Sequence, residues 1–271
     1  MVHGATYNRN YWDFPYSQSI YSYVNPSLQA GRATFIYDRV GDGSSSRPSG
    51  LSVTVDVDAY ILHQLIGWLQ PTYPQTTVVG HSLGSLISAQ EAATYNDAER
   101  LVITGYLHGK GLGLGLPQVI GSFYPAALDP QFAGLLDPSY LTTVLGSRAS
   151  AFYYAPTADP AVIAYDEAHK DVLSTPELAA VPTALETPPP LNVTDNIKVP
   201  TLLMMGDHDA LFCGVLVDCT SVSSITANEK PYYKSVPSLT VKSVPGTGHD
   251  LTTHPSSHQS HAMMDSWIAT H

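Results

Sequence analysis

The sequence predicts an α/β protein built on a mostly parallel, doubly wound sheet that carries an inserted, mainly helical lid. Three observations predict it. Short apolar runs without amphipathic alternation recur at 33–38 (ATFIYD), 76–79 (TTVV), 100–107 (RLVITGYL), from Pro200 (PTLLMMG) and from Leu239 (LTVKSVP), as expected of strands covered on both faces. Segments of helical period separate several of them. The rhythm then breaks between Gly109 and Val199, where Gly, Pro, Tyr and Phe accumulate, and that stretch is the expected lid. Three segments follow: a first part of the core at 1–108, the lid at 109–199, and a second part of the core at 200–271.

Each element has a local reason. ATFIYD ends in a Gly/Ser/Pro loop, DRVGDGSSSRPSG. Val53, Val57, Ile61, Leu65 and Trp68/Leu69 recur at helical spacing, and Pro71 stops that helix. Leu83, Leu86, Ile87 and Ala93 give the next helix its apolar face, and Met263, Met264, Trp267 and Ile268 do the same for a C-terminal helix. A hydrophobic content of 44% in 271 residues supports a sizeable core. No run of 18 apolar residues occurs, so no transmembrane helix is expected. A net charge of −11 with 13% charged residues disfavours nucleic acid and anionic membranes as partners.

The chemistry-bearing stretch is TTVVGHSLGSLISAQ, Thr76 to Gln90. It places Ser82 between a buried strand and a helix, where ligands of such sheets sit. Gly80 and Gly84 leave room for a tight turn because they lack Cβ. The result is a Gly-x-Ser-x-Gly nucleophile elbow, with the free N–H groups of the helix aimed at the hydroxyl. The bland alternative is a glycine-rich turn with an N-capping serine. A serine needs an imidazole to take its proton, and the imidazole needs a carboxylate to fix its tautomer. PTLLMMGDHD supplies carboxylates just after one later strand, and VPGTGHD supplies His249 just after the next.

In this order of Ser, Asp and His, the chain resembles the α/β-hydrolase superfamily over essentially its whole length. DRVGDGSSSRP is similar to the family's Asp-x-x-Gly-x-Gly-x-Ser loop, VVGHSLGS to its lipase/esterase-type elbow, and PGTGHD to its histidine turn. The resemblance implies Ser82 as nucleophile and His249 as general base and then acid. It implies Asp209 as the third member, by the family spacing Gly-x-x-Asp, with Asp207 as the competing carboxylate. It also implies an oxyanion hole from the N–H groups of Leu83 and of Ala5, the latter in HGATYN. The activity implied is hydrolysis of a carboxylic ester or lactone through an acyl-enzyme, with no cofactor and no metal. Peptidase, thioesterase, C–C hydrolase, haloperoxidase and hydroxynitrile lyase chemistries share the scaffold, as do non-catalytic small-molecule receptors.

One departure from the family pattern concerns the beginning of the chain. In the family, His-Gly follows a central strand, and two more strands precede that one; here His3-Gly4 lies at the start. The expectation is that the N-terminal strands are missing and that Met1 is internal to a longer protein; a chain that really started at Met1 would have a gap beside the elbow strand. Cys213 and Cys219, with the sequon Asn192-Val193-Thr194 after a proline run, point to a secreted protein with a Cys213–Cys219 bridge and a surface glycosylation site. Two buried thiols in a cytoplasmic protein are the alternative. His81 and His208 are expected to pack beside the site or line it. His254, His258 and His261 read as a solvated helix face rather than a metal site, and the aromatic-rich lid suggests an apolar or ring-bearing substrate.

Overall fold

The computed structural model describes residues 1–109 and 115–271. Helices α1 (Gln18–Tyr21), α2 (Val24–Gln29) and α3 (Val55–Leu69) precede strand β1 (Thr77–His81), helix α4 (Leu83–Thr94) and strand β2 (Arg100–Thr104). Next come α5 (Gly115–Gly121), β3 (Phe123–Pro125), β4 (Tyr140–Thr143), α6 (Ser147–Phe152), α7 (Pro160–Ala168), β5 (Leu173–Ser174) and α8 (Thr175–Glu186). Strand β6 (Thr201–Gly206), α9 (Val222–Glu229), β7 (Leu239–Val244) and α10 (Ser257–Thr270) follow.

The apolar runs form one parallel sheet in the order β1-β2-β6-β7. Its central members are apolar throughout because helices cover both faces: β6 is buried at every position, as are Leu101 to Thr104 of β2. Parallel pairing turns all four C-terminal ends the same way, so the loops after β1, β6 and β7 share one rim.

The stretch between β2 and β6 holds helices, as expected, and also a three-stranded antiparallel sheet, β3-β4-β5, that the sequence did not announce. Strands of three, four and two residues are too short to show a period of two. Residues 110–114 of the expected lid lie outside the described residues. The helix-terminal chemistry is regular here. Ser174 and Glu177 form a capping box at the start of α8, and Asp159 caps α7 ahead of Pro160.

Two expectations need correction. ATFIYD is not a strand. From the neighbouring N-terminal segment its backbone receives one hydrogen bond, from the Met1 ammonium to Phe35 O at 2.8 Å. Beyond β1 the sheet continues among the described residues only as an isolated parallel bridge, Val2 to Gly80, with Val2 N donating to Val79 O at 2.8 Å. A cleft lies there, lined by Phe35, Tyr37, Leu65, Trp68 and Val79 among others. This cleft also explains α3. Thr54 caps that helix, but its buried face is Val55, Ala59, Leu62 and Ile66; Val57 and Trp68 of the expected face are exposed. The helix is apolar on two flanks, and both reach the cleft, Leu62 and Ile66 from one and Leu65 and Trp68 from the other.

Cys213 and Cys219 are joined in a disulfide within the segment after β6. The sequon does not have the surface position expected of it. Asn192 is 3% exposed, and its Nδ2 donates to Ala184 O at 2.8 Å and Thr187 O at 3.0 Å, so the folded chain withholds the nitrogen a glycan would use.

Candidate active site

Ser82 stands between β1 and α4 with φ 53° and ψ −120°, a left-handed conformation that a residue with a side chain adopts only under constraint. The constraint comes from both sides. Ser82 N donates to Thr104 O at 2.8 Å, and Ser85 N and Leu86 N bond back to Ser82 O at 2.8 and 3.2 Å. The two glycines allow the turn by close approach: a Cβ on Gly80 would lie 2.5 Å from Gly84 O, and one on Gly84 would lie 2.4 Å from Val2 O. Ser82 occupies the N-cap position, yet its side chain makes no capping bond. The hydroxyl is therefore not used as a cap.

His249 follows β7 and is 1% exposed. Its Nδ1 lies 2.8 Å from Asp209 Oδ2, while Nε2 is buried with no hydrogen-bond partner among the described residues. Asp209 is held in turn: Oδ1 accepts from Leu211 N at 2.8 Å and Phe212 N at 3.2 Å. Asp207 points elsewhere, accepting from His208 Nδ1 at 2.6 Å and Thr247 N at 3.1 Å. Burial opposes a charge on the His249 ring, but the charge and hydrogen bond of Asp209 outweigh it and raise its pKa above the ordinary histidine value.

Ser82 and His249 line one cavity, together with Ala5, Leu83, Ile120, Phe152, Leu178 and Val181 among others. As the first residue of α4, Leu83 has an N–H with no intrahelical acceptor. Ala5 is fixed by the strained Thr6 (φ 60°), whose N donates to Val172 O at 3.2 Å and whose hydroxyl accepts from Arg148 Nη1 at 2.6 Å.

A buried polar network beneath the site has no counterpart in the motif reading. Asp250, next to His249, accepts from Tyr7 Oη and sits 3.0 Å from His81 Nε2. The His81 ring stacks on Tyr11 at 4.4 Å and lies 4.8 Å from the His249 ring. Burial lowers the pKa of His81, and the neighbouring His249 adds to that; burial raises the pKa of Asp250. Arg148, fully buried, grips Asp166 with Nε at 3.0 Å and Nη2 at 2.7 Å and stacks over Tyr7 at 4.3 Å. Asp250 in the quoted GHD was the one visible hint of this network.

The other histidines divide. His208 is exposed, stacked on Tyr154 at 3.8 Å, and does not line the cavity. The solvated face expected of His254, His258 and His261 holds for His258 alone. His254 precedes α10 and is buried, with Nε2 accepting from Tyr154 N and Gly248 N, and His261 is buried against Tyr23. His81, His249 and Asp250 bring ligand atoms within 4.8 Å of one another, but both nitrogens of His81 and both oxygens of Asp250 are already paired.

A family model described as "Alpha/beta hydrolase family" matches residues 1–259. No curated protein sequence matches the chain. Among solved structures, the chain is similar to a monoacylglycerol lipase of Paleococcus ferrophilus (18% identity, 99% of this chain and 92% of that one covered, TM-score 0.65). It is similar to a methylesterase from Arabidopsis (14%, 100% and 98%, TM-score 0.65). It is also similar to tomato methylketone synthase I complexed with 2-tridecanone (14%, 99% and 96%, TM-score 0.68). At these identities the likeness speaks for the fold.

Proposed function

The chain belongs to the alpha/beta hydrolase family, and from that premise we propose that it is a serine hydrolase cleaving a carboxylic ester or lactone with an apolar acyl part. One observation carries the reading. A serine held in strained backbone shares a cavity with a histidine whose Nδ1 is fixed on a buried carboxylate and whose Nε2 is left open.

Ser82 Oγ attacks the carbonyl carbon while its proton passes to His249 Nε2. Asp209 holds the ring in the tautomer that leaves Nε2 free to accept, and stabilises the imidazolium that forms. The N–H groups of Ala5 and Leu83 take the developing oxyanion, each such donor being worth about 3–4 kcal/mol. The C–O bond then breaks, and the alkoxide leaves with the proton from His249. Water, deprotonated by the same nitrogen, attacks the acyl-serine and releases the acid. Charge is met by backbone dipoles, so the residues present suffice for each step.

The apolar cavity supports the acyl preference. The disulfide fits an oxidising compartment, which supports secretion; no helix of the described residues is long and apolar enough to cross a membrane. The test is turnover of p-nitrophenyl esters together with fluorophosphonate labelling. Wild type turns over and is labelled, and Ser82→Ala does neither. A chain that binds the ester but is inert to fluorophosphonate is a binding protein on this fold, and the proposal fails.

A further inference from the structure

Away from the catalytic rim, on the far end of α4, three metal-ligating side chains converge. His63 lies on α3, Glu91 on α4, and Asp97 just beyond it. Their ligand atoms lie within 4.8 Å of one another. His63 Nδ1 is 2.5 Å from Asp97 Oδ2. Glu91 is 0% exposed, yet both of its carboxylate oxygens, and Asp97 Oδ1, are buried without a hydrogen-bond partner among the described residues. A buried carboxylate facing a partly buried one, with three oxygens unanswered, is costly unless a cation or a proton lies between them.

The surroundings are organised as a site. Tyr95 stacks on the His63 ring at 4.1 Å, with 12° between planes. Gln70 Nε2 donates to Asp97 O at 2.6 Å and holds the loop. His63 and Asp97 are partly exposed (37% and 18% of their side chains), which gives an ion an entry and leaves room for water as a further ligand. One nitrogen with two carboxylates is a borderline donor set. Calcium and magnesium prefer oxygen alone, whereas zinc accepts imidazole and carboxylate together at roughly 2.0–2.2 Å.

We propose that His63, Glu91 and Asp97 form a binding site for a divalent transition-metal ion of the zinc type, clamping the C-terminal end of α4 to α3. The site is structural rather than catalytic. Glu91 is nine residues from Ser82 along the same helix, about 13 Å by helical rise. The ion would fix the helix whose other end carries the elbow.

Isothermal titration of chelator-stripped protein with ZnCl2, paired with thermal melts, tests this. The expected result is one tight equivalent and a raised Tm, with affinity at least tenfold weaker in both His63→Ala and Glu91→Gln. His63 is partly exposed, so its substitution leaves the fold intact should Glu91→Gln fail to fold. His249→Ala, which removes the nitrogen of the other histidine-carboxylate cluster, keeps the tight equivalent. Uptake that is absent, undiminished in the His63 variant, or abolished by His249→Ala overturns the proposal, and a shared proton then accounts for the carboxylate pair.

Discussion

The Nδ1 of His249 and the Oδ2 of Asp209 lie 2.8 Å apart, both side chains out of water, although 40 residues separate them. The turns after β6 and β7 bring them together, because parallel neighbours end on the same rim. Asp207, two residues away from Asp209, is committed to His208 and Thr247. Asp209→Asn should therefore lower kcat by about 10⁴, the cost of a histidine held in the wrong tautomer. Asp207→Asn should stay within severalfold of wild type. Steady-state kinetics of the two variants on one p-nitrophenyl ester checks this, and the reverse order would reassign the acid.

The pH dependence follows from the same pair. His249 must be neutral to accept a proton, and its pKa is raised by Asp209 against the opposing effect of burial. The acid limb of kcat/KM should then have an apparent pKa above the ordinary value of about 6.5. For stability the sign is opposite to that for activity. A raised folded-state value means that protonated His249 stabilises the fold below pH about 6.5, and that contribution is lost as pH rises through the folded value. The Tm difference between wild type and His249→Asn should shrink over that interval; a difference that grows with pH would contradict the assignment.

Gly105 supports the two histidines from below. Its φ is +61°, and a Cβ there would meet His81 Cε1 at 2.8 Å and His249 Cε1 at 3.1 Å. Gly105→Ala should cost about 1–3 kcal/mol for the backbone alone. It should also depress kcat more than KM, because the ring it displaces carries the proton. Denaturant melts and kinetics on the same variant separate the two effects.

Arg148 ties the inserted region to the N-terminal segment, gripping Asp166 and reaching the Thr6 hydroxyl. Arg148→Met leaves Asp166 buried without its partner, a loss of about 3–5 kcal/mol. Asp166→Leu alone should be similarly damaging, because it leaves the Arg148 guanidinium buried without its carboxylate. The Arg148→Met/Asp166→Leu pair should recover much of the loss, because it removes both charges; chemical denaturation of the three variants measures the coupling.

What the sequence disclosed and what it hid follow from the range of the interactions. β6 and its neighbours were legible because doubly covered strands are apolar at every position, and the Gly80-His81-Ser82-Leu83-Gly84 turn was legible because its geometry admits few residues. The face of α3 was misread because Val55–Ile66 and Val57–Trp68 are both apolar stripes, and a local period cannot say which one meets the core. Residues 33–38 have the composition of a strand, but a strand also requires a neighbour, and Met1–Gly4 supplies one contact. The Tyr7–Asp250–His81 network showed in the sequence only as Asp250 beside His249, because its contacts span 243 and 169 residues and leave no periodic trace.

The cavity itself makes the last prediction. Its walls are largely aliphatic and aromatic, from Leu86, Ile120 and Phe123 to Leu178 and Val181, and among the described residues no Lys or Arg lines it. The polar atom of Tyr7 is engaged with Asp166 and Asp250, so it does not answer an incoming charge. An acyl group ending in a carboxylate would lose its hydration and meet no cation among the described residues in return, a penalty of several kcal/mol. A neutral butyrate ester and its hemisuccinate counterpart share the leaving group and have nearly the same length. The neutral ester should exceed the charged one in kcat/KM by at least about 100-fold, which is 2.7 kcal/mol of transition-state binding. Equal turnover of the two would mean that the acyl group does not enter this cavity, and the apolar-acyl reading would fall while leaving Ser82 in place.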